Sequence, residues 1–167
     1  MQLSSLPARN LDLAELTELV DGLATHPDLW RAHADRRDGE RHFVSLHRDD
    51  HVDVWVIAWT AGGDTGWHDH DISAGAVRVL EGELRESTPR LGGEPVDRLI
   101  AAGQSFAFGP EHIHRLSGHA GHSVSIHAYS PPLWRLGQYS IGADGVMRRV
   151  SISYAEELRP IEAPVAA

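Results

Sequence analysis

The chain has 167 residues, enough for one domain that buries a core without disulfide or metal staples. It contains no cysteine, which excludes a disulfide framework and any thiolate metal site, so a bound metal would have to take histidine or oxygen ligands. The formal charge of −9 argues against a surface for nucleic acid or for an anionic membrane, because both attract basic patches.

The sequence predicts a single domain over residues 1–167, with a helical cover at about 10–40, a β-barrel at 41–155 and a tail at 156–167. Asn10 or Asp12 can cap a first helix that runs to about Ala24, since leucines recur there at the helical period, and Pro27 can begin a second helix. No apolar run reaches the length of a membrane span, and the start lacks the pattern of a signal peptide. A cytoplasmic location is therefore the expectation.

From Arg41 onward, short β-rich runs separated by turn-forming residues predict a mainly β fold rather than alternating strands and helices. Glu81-Gly82 has the composition of a hairpin turn between two of these strands. The number of strands implies two sheets or a closed barrel. The predicted strands lie near His42–His47, Val52–Thr60, Ala74–Leu80, Glu83–Ser87, Arg98–Ile100, Ser105–Phe108, Arg115–Ser117, Ser123–Ser130, Leu136–Ile141 and Met147–Ser153.

His68 and His70 are the first candidate metal ligands. Side chains two apart on a strand share a face, so both imidazoles can reach one ion. Taken alone, the pair is explained equally well as solvated loop residues in a chain with 12 histidines. Downstream, GQSFAFGPEHIHRLSG brings His114 after a glycine and a proline, and His112, two positions earlier, competes for the same role.

These segments resemble the two-part signature of cupins, small β-barrels that hold a metal at their mouth. Gly103, Pro110 and His114 stand in the order of its second half. The glutamate that the usual cupin carries four or five residues after the second histidine is absent, since Ala74 and Gly75 stand there. A neutral three-histidine set suits iron whose substrate brings an anionic ligand such as a thiolate, and the alternative is a degenerate cupin that has lost its metal.

SVSIHAYSPP, residues 123–132, places Ser125, His127 and Tyr129 on one face of a strand and apolar residues on the other. Unpaired buried polar groups cost roughly 1–3 kcal/mol each, so three polar side chains facing a core would have to bond one another. The pattern predicts a hydrogen-bonded relay from Ser125 through His127 to Tyr129. The alternative is the solvated outer face of an edge strand.

With this segment the sequence resembles the thiol dioxygenases of the cysteine dioxygenase type, which are cupins with a three-histidine non-haem iron. The resemblance runs from about Arg41 to Pro132 and rests on GWHDHDISAG, on His114-Arg115 and on SVSIHAYSPP, which generic cupins do not share. It implies Fe(II)- and O2-dependent oxidation of a small organic thiol, cysteine or a related mercapto acid, to the sulfinate.

The resemblance also assigns individual residues. It implies that iron is bound by His68, His70 and His114. It implies that the outer-sphere triad of the family is formed by Ser125, His127 and Tyr129, and that the Ser130–Pro131 peptide is cis.

Two departures from the family pattern bear on the cofactor and the substrate. Mammalian relatives carry a cysteine, crosslinked to the tyrosine, where this chain has Gly75, so no Tyr–Cys cofactor can form here. The carboxylate-binding arginine of the family falls near Val44, and the glutamine of relatives that prefer 3-mercaptopropionate is missing as well. Arg41 and Arg135 are left as candidate substrate-binding residues, and the identity of the thiol stays open.

Two other functions are compatible with the sequence. One is a cupin enzyme that oxygenates or isomerises a non-thiol small molecule, a reaction for which generic cupins use the glutamate that this chain lacks. The other is a metal-free cupin that binds a small ligand. The sequence gives no indication of oligomeric state.

Overall fold

Two helices precede the strands in the computed structural model, which describes residues 3–34, 41–142 and 145–153. After a 3-10 turn at Leu3–Ser5, α1 spans Leu13–Ala24 and α2 spans Pro27–Ala34. Asp12 caps α1: its side chain accepts a hydrogen bond from the backbone N–H of Glu15, whose side chain bonds back to the backbone of Asp12. Within these residue ranges, no helix is long and apolar enough to cross a membrane.

The strands form two antiparallel sheets. The first has the order β1-β2-β7-β4-β5, with β6 also paired to β4, and the second has the order β3-β8-β9. Their bounds are β1 His42–Arg48, β2 Asp53–Trp59, β3 Trp67–Asp69, β4 Ala74–Thr88, β5 Val96–Ala101, β6 Ser105–Phe108, β7 Arg115–Ser130, β8 Arg135–Ile141 and β9 Met147–Ser153.

Isolated bridges join the two sheets. They pair His68 with His114 and Asp64 with Ser117. In the described part of the chain, no continuous ladder of paired strands joins the two sheets into a closed barrel. The fold is therefore mainly β with N-terminal helices, as the sequence predicts, and of the two predicted arrangements the described residues form two sheets rather than a closed barrel.

The central strands β2 and β7 each separate two apolar cores. On one side, Val54 and Val56 of β2 and Ile126 of β7 pack with the leucines of α1. On the other side, Ile57 and Trp59 of β2 belong to a second core with residues of β4, β6 and β8. Because successive side chains of a strand point to opposite faces, the helices cover one face of the sheet and leave the other for a site.

β4 and β7 are longer than the sequence suggests, since each joins two predicted strands. The predicted hairpin at Glu81-Gly82 is wrong, because the strand continues through it with a register shift. Gly82 has a φ of 68° there, and a Cβ would collide with the carbonyl oxygen of His122 and the side chain of Ser123. The glycine thus permits a bulge inside one long strand rather than a turn between two.

β3 has no counterpart among the predicted strands. It pairs with β8 over three residues and carries His68. Residues 35–40 of the predicted helical cover, 154–155 of the predicted β region and the predicted tail at 156–167 lie outside the described residues.

Candidate metal centre

Three histidines meet where β3 lies beside the start of β7. His68 is on β3, His70 follows the end of that strand, and His114 directly precedes β7. The backbones of His68 and His114 exchange hydrogen bonds of 2.9 and 3.0 Å. The three ring centroids lie 4.7 to 5.1 Å apart, and one nitrogen of each ring lies within 4.8 Å of the others. All three candidate ligands are therefore brought together, and all are buried.

The nitrogen atoms of this cluster fit a metal ion. Nδ1 of His68 donates to the carbonyl oxygen of Gly66 at 3.0 Å, so the lone pair of its Nε2 is available. His114 Nε2 and His70 Nδ1 are buried without a hydrogen-bond partner. An unpaired buried polar atom costs about 1–3 kcal/mol, which a bound cation would remove. Imidazole nitrogens suit divalent iron among other transition metals.

Burial keeps these imidazoles neutral. It lowers the pKa of His68 and of His70 well below the usual value, and the neighbouring histidines add to the effect. It also lowers the pKa of His114, although the hydrogen bond with Glu86 opposes this. Since a neutral imidazole offers a lone pair to a metal, the cluster can bind a cation at neutral pH without first releasing protons.

Glu86 on β4 lies behind His114. Its Oε1 accepts hydrogen bonds from His114 Nδ1 at 2.8 Å and from His112 Nε2 at 3.0 Å, and Arg98 pairs with its other oxygen. His112, the competing ligand, bonds to Glu86 and forms with Glu86 and His114 a second group able to hold an ion, whereas the three-histidine cluster contains His114. Sequence reasoning missed Glu86. The available signal was its place two residues after the buried Leu84, on the inward face of the strand.

Asp69, between the two candidate ligands His68 and His70, ties this end of β3 to the other two strands of the second sheet. Its carboxylate accepts hydrogen bonds from Arg149 of β9 at 2.7 and 2.9 Å, from the hydroxyl of Tyr139 at 2.6 Å and from the backbone N–H of Gly137 at 3.0 Å. Burial raises the pKa of Asp69, but these hydrogen bonds outweigh burial and hold that pKa well below its usual range. This anchor was also missed, because its partners are far away in the sequence.

The predicted relay has its hydrogen bonds in place. Ser125 Oγ lies 2.8 Å from His127 Nε2, and His127 Nδ1 lies 3.1 Å from the hydroxyl of Tyr129. The indole N–H of Trp59 donates to Ser125 Oγ at 2.8 Å. All four side chains are buried, so the face is not the solvated one. The Ser130–Pro131 peptide that follows is cis.

The bonds of this relay run in one direction. Burial, followed by nearby His114 and Arg41, lowers the pKa of His127 to about 3, so the ring is neutral and one nitrogen donates while the other accepts. Trp59 can only donate, so Ser125 Oγ accepts from it and is able to give its single hydroxyl proton to His127 Nε2. His127 then carries its own proton on Nδ1 and donates to the Tyr129 oxygen. The phenol proton is thereby directed away from the relay, toward the cavity that Tyr129 lines.

Tyr129 lies directly against the candidate ligands. Its ring stacks on His70 with centroids 5.4 Å apart, and His70 in turn lies 4.5 Å from the ring of Phe108. Gly75, opposite Tyr129 in the β4–β7 ladder, gives these rings room. A Cβ at Gly75 would come within 2.5 Å of Phe108 and 3.1 Å of Tyr129. Phe108 therefore occupies the space next to the tyrosine that a side chain at position 75 would need.

A small cavity borders both the histidine cluster and the relay. Its volume is about 40 Å³, and at about 10–15 Å³ per water it has room for a molecule of a few atoms. Apart from the histidines and Tyr129, its wall is mostly aromatic and aliphatic. The lining consists of Arg41, Phe43, Trp55, Ile57, Trp59, Thr65, His68, His70, Leu116, His127, Tyr129, Leu133 and Leu136.

Of the two arginines considered for the substrate, Arg41 lines this cavity and Arg135 does not. Arg41 is buried, with its guanidinium 5.5 Å from the centroid of the Trp59 ring. Arg135 is exposed at the start of β8. Val44, where the family arginine was expected to fall, is not among the lining residues, whereas Phe43 is. Among the described residues of the wall, Arg41 alone carries a permanent charge.

Comparison with solved structures identifies the fold as a cupin. A cupin superfamily protein from Desulfitobacterium hafniense matches with a TM-score of 0.52 at 12% identity, covering 62% of this chain and 89% of that one. A protein with a double-stranded β-helix domain from Klebsiella pneumoniae subsp. pneumoniae matches with a TM-score of 0.52 at 13% identity, covering 71% and 91%. The family model of cysteine dioxygenase type I matches residues 1–141, and the chain belongs to this family.

The buried histidines should make the metal-free protein unstable in mild acid. His68, His70, His114 and His127 have lowered pKa values when folded and ordinary ones near 6.5 when unfolded, so below pH 6.5 the unfolded chain binds more protons. Each can then remove up to about 1.4 kcal/mol of unfolding free energy per pH unit. We expect the urea midpoint to fall steadily between pH 7 and pH 5.

The His127→Gln variant serves as the control, because it should lose the contribution of one histidine to the pH dependence of the unfolding free energy. Its relay position lies outside the candidate ligand set, so the remaining histidines still titrate. An unfolding free energy that stays constant between pH 7 and pH 5 would contradict this expectation.

Proposed function

We propose that this protein is a non-haem iron thiol dioxygenase that oxidises a small mercapto acid to its sulfinate. In the balanced reaction a thiol and one O2 give a sulfinate and a proton: the sulfur loses four electrons, and both oxygen atoms end on it. The observation that carries the proposal is one cavity lined by His68 and His70 of the neutral three-histidine cluster and by His127 and Tyr129 of the relay, in a chain of the cysteine dioxygenase type I family.

His68, His70 and His114 would hold the iron. The chemistry that iron supplies when bound is coordination of the thiolate sulfur and activation of O2. The protein contributes no charged ligand to this set. An anionic sulfur therefore meets no competing carboxylate there, which favours a thiol over a neutral substrate.

Arg41 would hold the acidic group of the substrate. A guanidinium presents paired N–H donors that match a carboxylate, and its buried place in the wall keeps water from screening the pair. The described lining includes no aspartate or glutamate that could receive an ammonium group. The wall therefore favours mercapto acids over aminothiols such as cysteamine.

Tyr129 would donate a hydrogen bond to the reacting group. Burial, with Asp53 adding to it, raises the pKa of its phenol, so the proton is retained at neutral pH. The relay holds that proton toward the cavity, where it can meet the oxygen atoms of the forming sulfinate. Aromatic side chains around it, including Trp55 in edge contact with a 5.9 Å centroid separation, exclude water from the same space.

The test is oxygen uptake by Fe(II)-loaded protein with cysteine, 3-mercaptopropionate, mercaptosuccinate, cysteamine and thio-imidazoles, together with sulfinate analysis. We expect one O2 consumed per sulfinate, both oxygen atoms derived from 18O2, and higher kcat/KM for the mercapto acids than for cysteamine. No uptake with any thiol would defeat the proposal. A protein purified without metal under anaerobic, chelator-free conditions would favour a binding module.

The partners that this proposal implies are a small thiol and O2, and the proposed location of the reaction is the cytoplasm.

The Arg41→Gln variant should lose affinity for the acid group. We expect KM for the preferred mercapto acid to rise roughly 10- to 100-fold, because a charge-assisted hydrogen bond contributes about 1.5–3 kcal/mol. Cysteamine, which has no carboxylate, should show an unchanged KM. Arg135→Gln is the matched control, since that side chain is exposed and does not line the cavity. An equal rise of KM in Arg41→Gln and Arg135→Gln would show that Arg41 does not bind the acid group of the substrate.

A further inference from the structure

Glu86 is a buried charge that the proposed reaction does not use. Its side chain is 1% exposed, so the charge must be compensated within the protein. His114 and His112 share its Oε1, and Arg98 binds the other oxygen. Three donors therefore surround this buried carboxylate and compensate its negative charge beside the metal centre.

Arg98 determines which oxygen is left for the histidines. It stands opposite Glu86 in the β4–β5 ladder and binds the oxygen that the histidines do not use. Its guanidinium lies over the ring of Phe106, with the guanidinium carbon 4.7 Å from the ring centroid. Because its side chain is 54% exposed, water screens its positive charge, whereas the carboxylate is shielded from water. One oxygen of Glu86 is thereby aimed at His114.

The candidate ligands differ in the partner of their second ring nitrogen. His114 Nδ1 donates to a carboxylate, and His68 Nδ1 donates to the peptide carbonyl of Gly66. No hydrogen bond to Nδ1 fixes which nitrogen of His70 would face the ion, and its ring is held by stacking against Phe108 and Tyr129. Of the three, His114 alone receives a full negative charge through its hydrogen bond. It should therefore be the most strongly donating ligand.

We propose that Glu86 is the positioning residue of the metal centre. It fixes His114 in the Nδ1–H tautomer, so that the buried and unpartnered Nε2 is offered to the ion. Through the same bond it strengthens electron donation by His114, while the ligand set itself stays free of the glutamate for which this chain has Ala74 and Gly75. The inference rests on the metal site of the proposed function and not on its thiol chemistry.

The test compares Glu86→Gln with Glu81→Gln. The first keeps the size of the side chain and an acceptor oxygen but removes the charge, and the second removes the same charge from the same strand outside the cluster. Chelator competition with Fe(II), Co(II) and Zn(II) on full-length metal-free protein should show an affinity about 10- to 100-fold lower for Glu86→Gln. The Fe(III)/Fe(II) midpoint potential should also rise, because less negative charge stabilises the oxidised metal. Glu81→Gln should match the wild type in both.

Equal affinity and equal potential in wild type and Glu86→Gln would overturn the inference. Two ions per chain in the wild type, falling to one in Glu86→Gln, would also overturn it, because Glu86 would then be a ligand. If Glu86→Gln does not fold, the Arg98→Gln variant provides the test. Without Arg98 the Glu86 carboxylate is less compensated, so the Fe(III)/Fe(II) midpoint potential should fall. An unchanged or higher potential contradicts the proposal. Absence of thiol oxidation would count against the proposed function alone, since these measurements contain no thiol.

Discussion

Replacing His114 by alanine is expected to abolish metal binding. The variant removes the nitrogen that lies buried and unpartnered beside His68 and His70, and it also cuts the connection from Glu86 to the ion. The loss of affinity should exceed the about 10- to 100-fold that removal of an outer hydrogen-bond partner costs. Metal content after anaerobic Fe(II) loading, followed by gel filtration, measures this directly.

His112→Ala is the matched control for that experiment. The two histidines are two residues apart and bond to the same carboxylate oxygen, but the three-histidine cluster contains His114. We expect the His112 variant to retain one metal per chain. Unchanged metal content in His114→Ala, with loss in His112→Ala, would show that the ligand assignment is wrong.

Replacing Tyr129 by phenylalanine is expected to slow turnover without releasing iron. The substitution keeps the ring that stacks on His70 and removes only the hydroxyl at the end of the relay. Loss of one hydrogen-bond donor aimed at a developing charge lowers kcat by roughly 100- to 1,000-fold. Steady-state rates per bound iron with the preferred thiol, beside the metal content, separate the two effects.

Tyr139→Phe provides the comparison for Tyr129. Its hydroxyl donates to Asp69 and does not line the cavity, so the rate per bound iron should stay close to that of the wild type. A kcat that is unchanged in Tyr129→Phe would remove the phenol from the chemistry. Loss of iron in that variant would instead indicate that its ring supports the ligands.

The parts of the site that sequence could predict are those set by local periodicity. Alternation along β7 placed Ser125, His127 and Tyr129 on one face, and their hydrogen bonds follow from spacing within a single strand. The pair His68 and His70 was found in the same way. His114 needed the resemblance to a known pattern, because its approach to His68 depends on a bridge between distant segments.

The parts that sequence could not predict depend on contacts between distant strands. The sequence analysis did not single out Glu86 and Asp69, because their charges are compensated by Arg98 and Arg149 on other strands. The expected hairpin at Glu81-Gly82 failed because a glycine with positive φ serves a bulge as well as a turn. Composition alone does not distinguish these two uses of the residue.

The early strand shows the same dependence on contacts outside the local sequence. By sequence alignment, the family's arginine position falls near Val44, whereas Arg41, one of the two predicted substrate-binding residues, and Phe43 line the cavity. A shift of one residue in such an alignment moves a side chain to the opposite face of the sheet. Predictions of polar contacts on an early, short strand are sensitive to that error.

The division of β7 between two cores has a consequence for how this protein can change. His127 and Tyr129 line the cavity and Ser125 bonds to His127 on the same face, while Val124 and Ile126 pack in the core with the helices. An insertion or deletion of one residue in this strand would send the relay into the helical interface and aliphatic groups into the cavity. The register of β7 therefore determines both the position of the relay and the contact with the helices. This segment can vary by substitution but not by a change in its length.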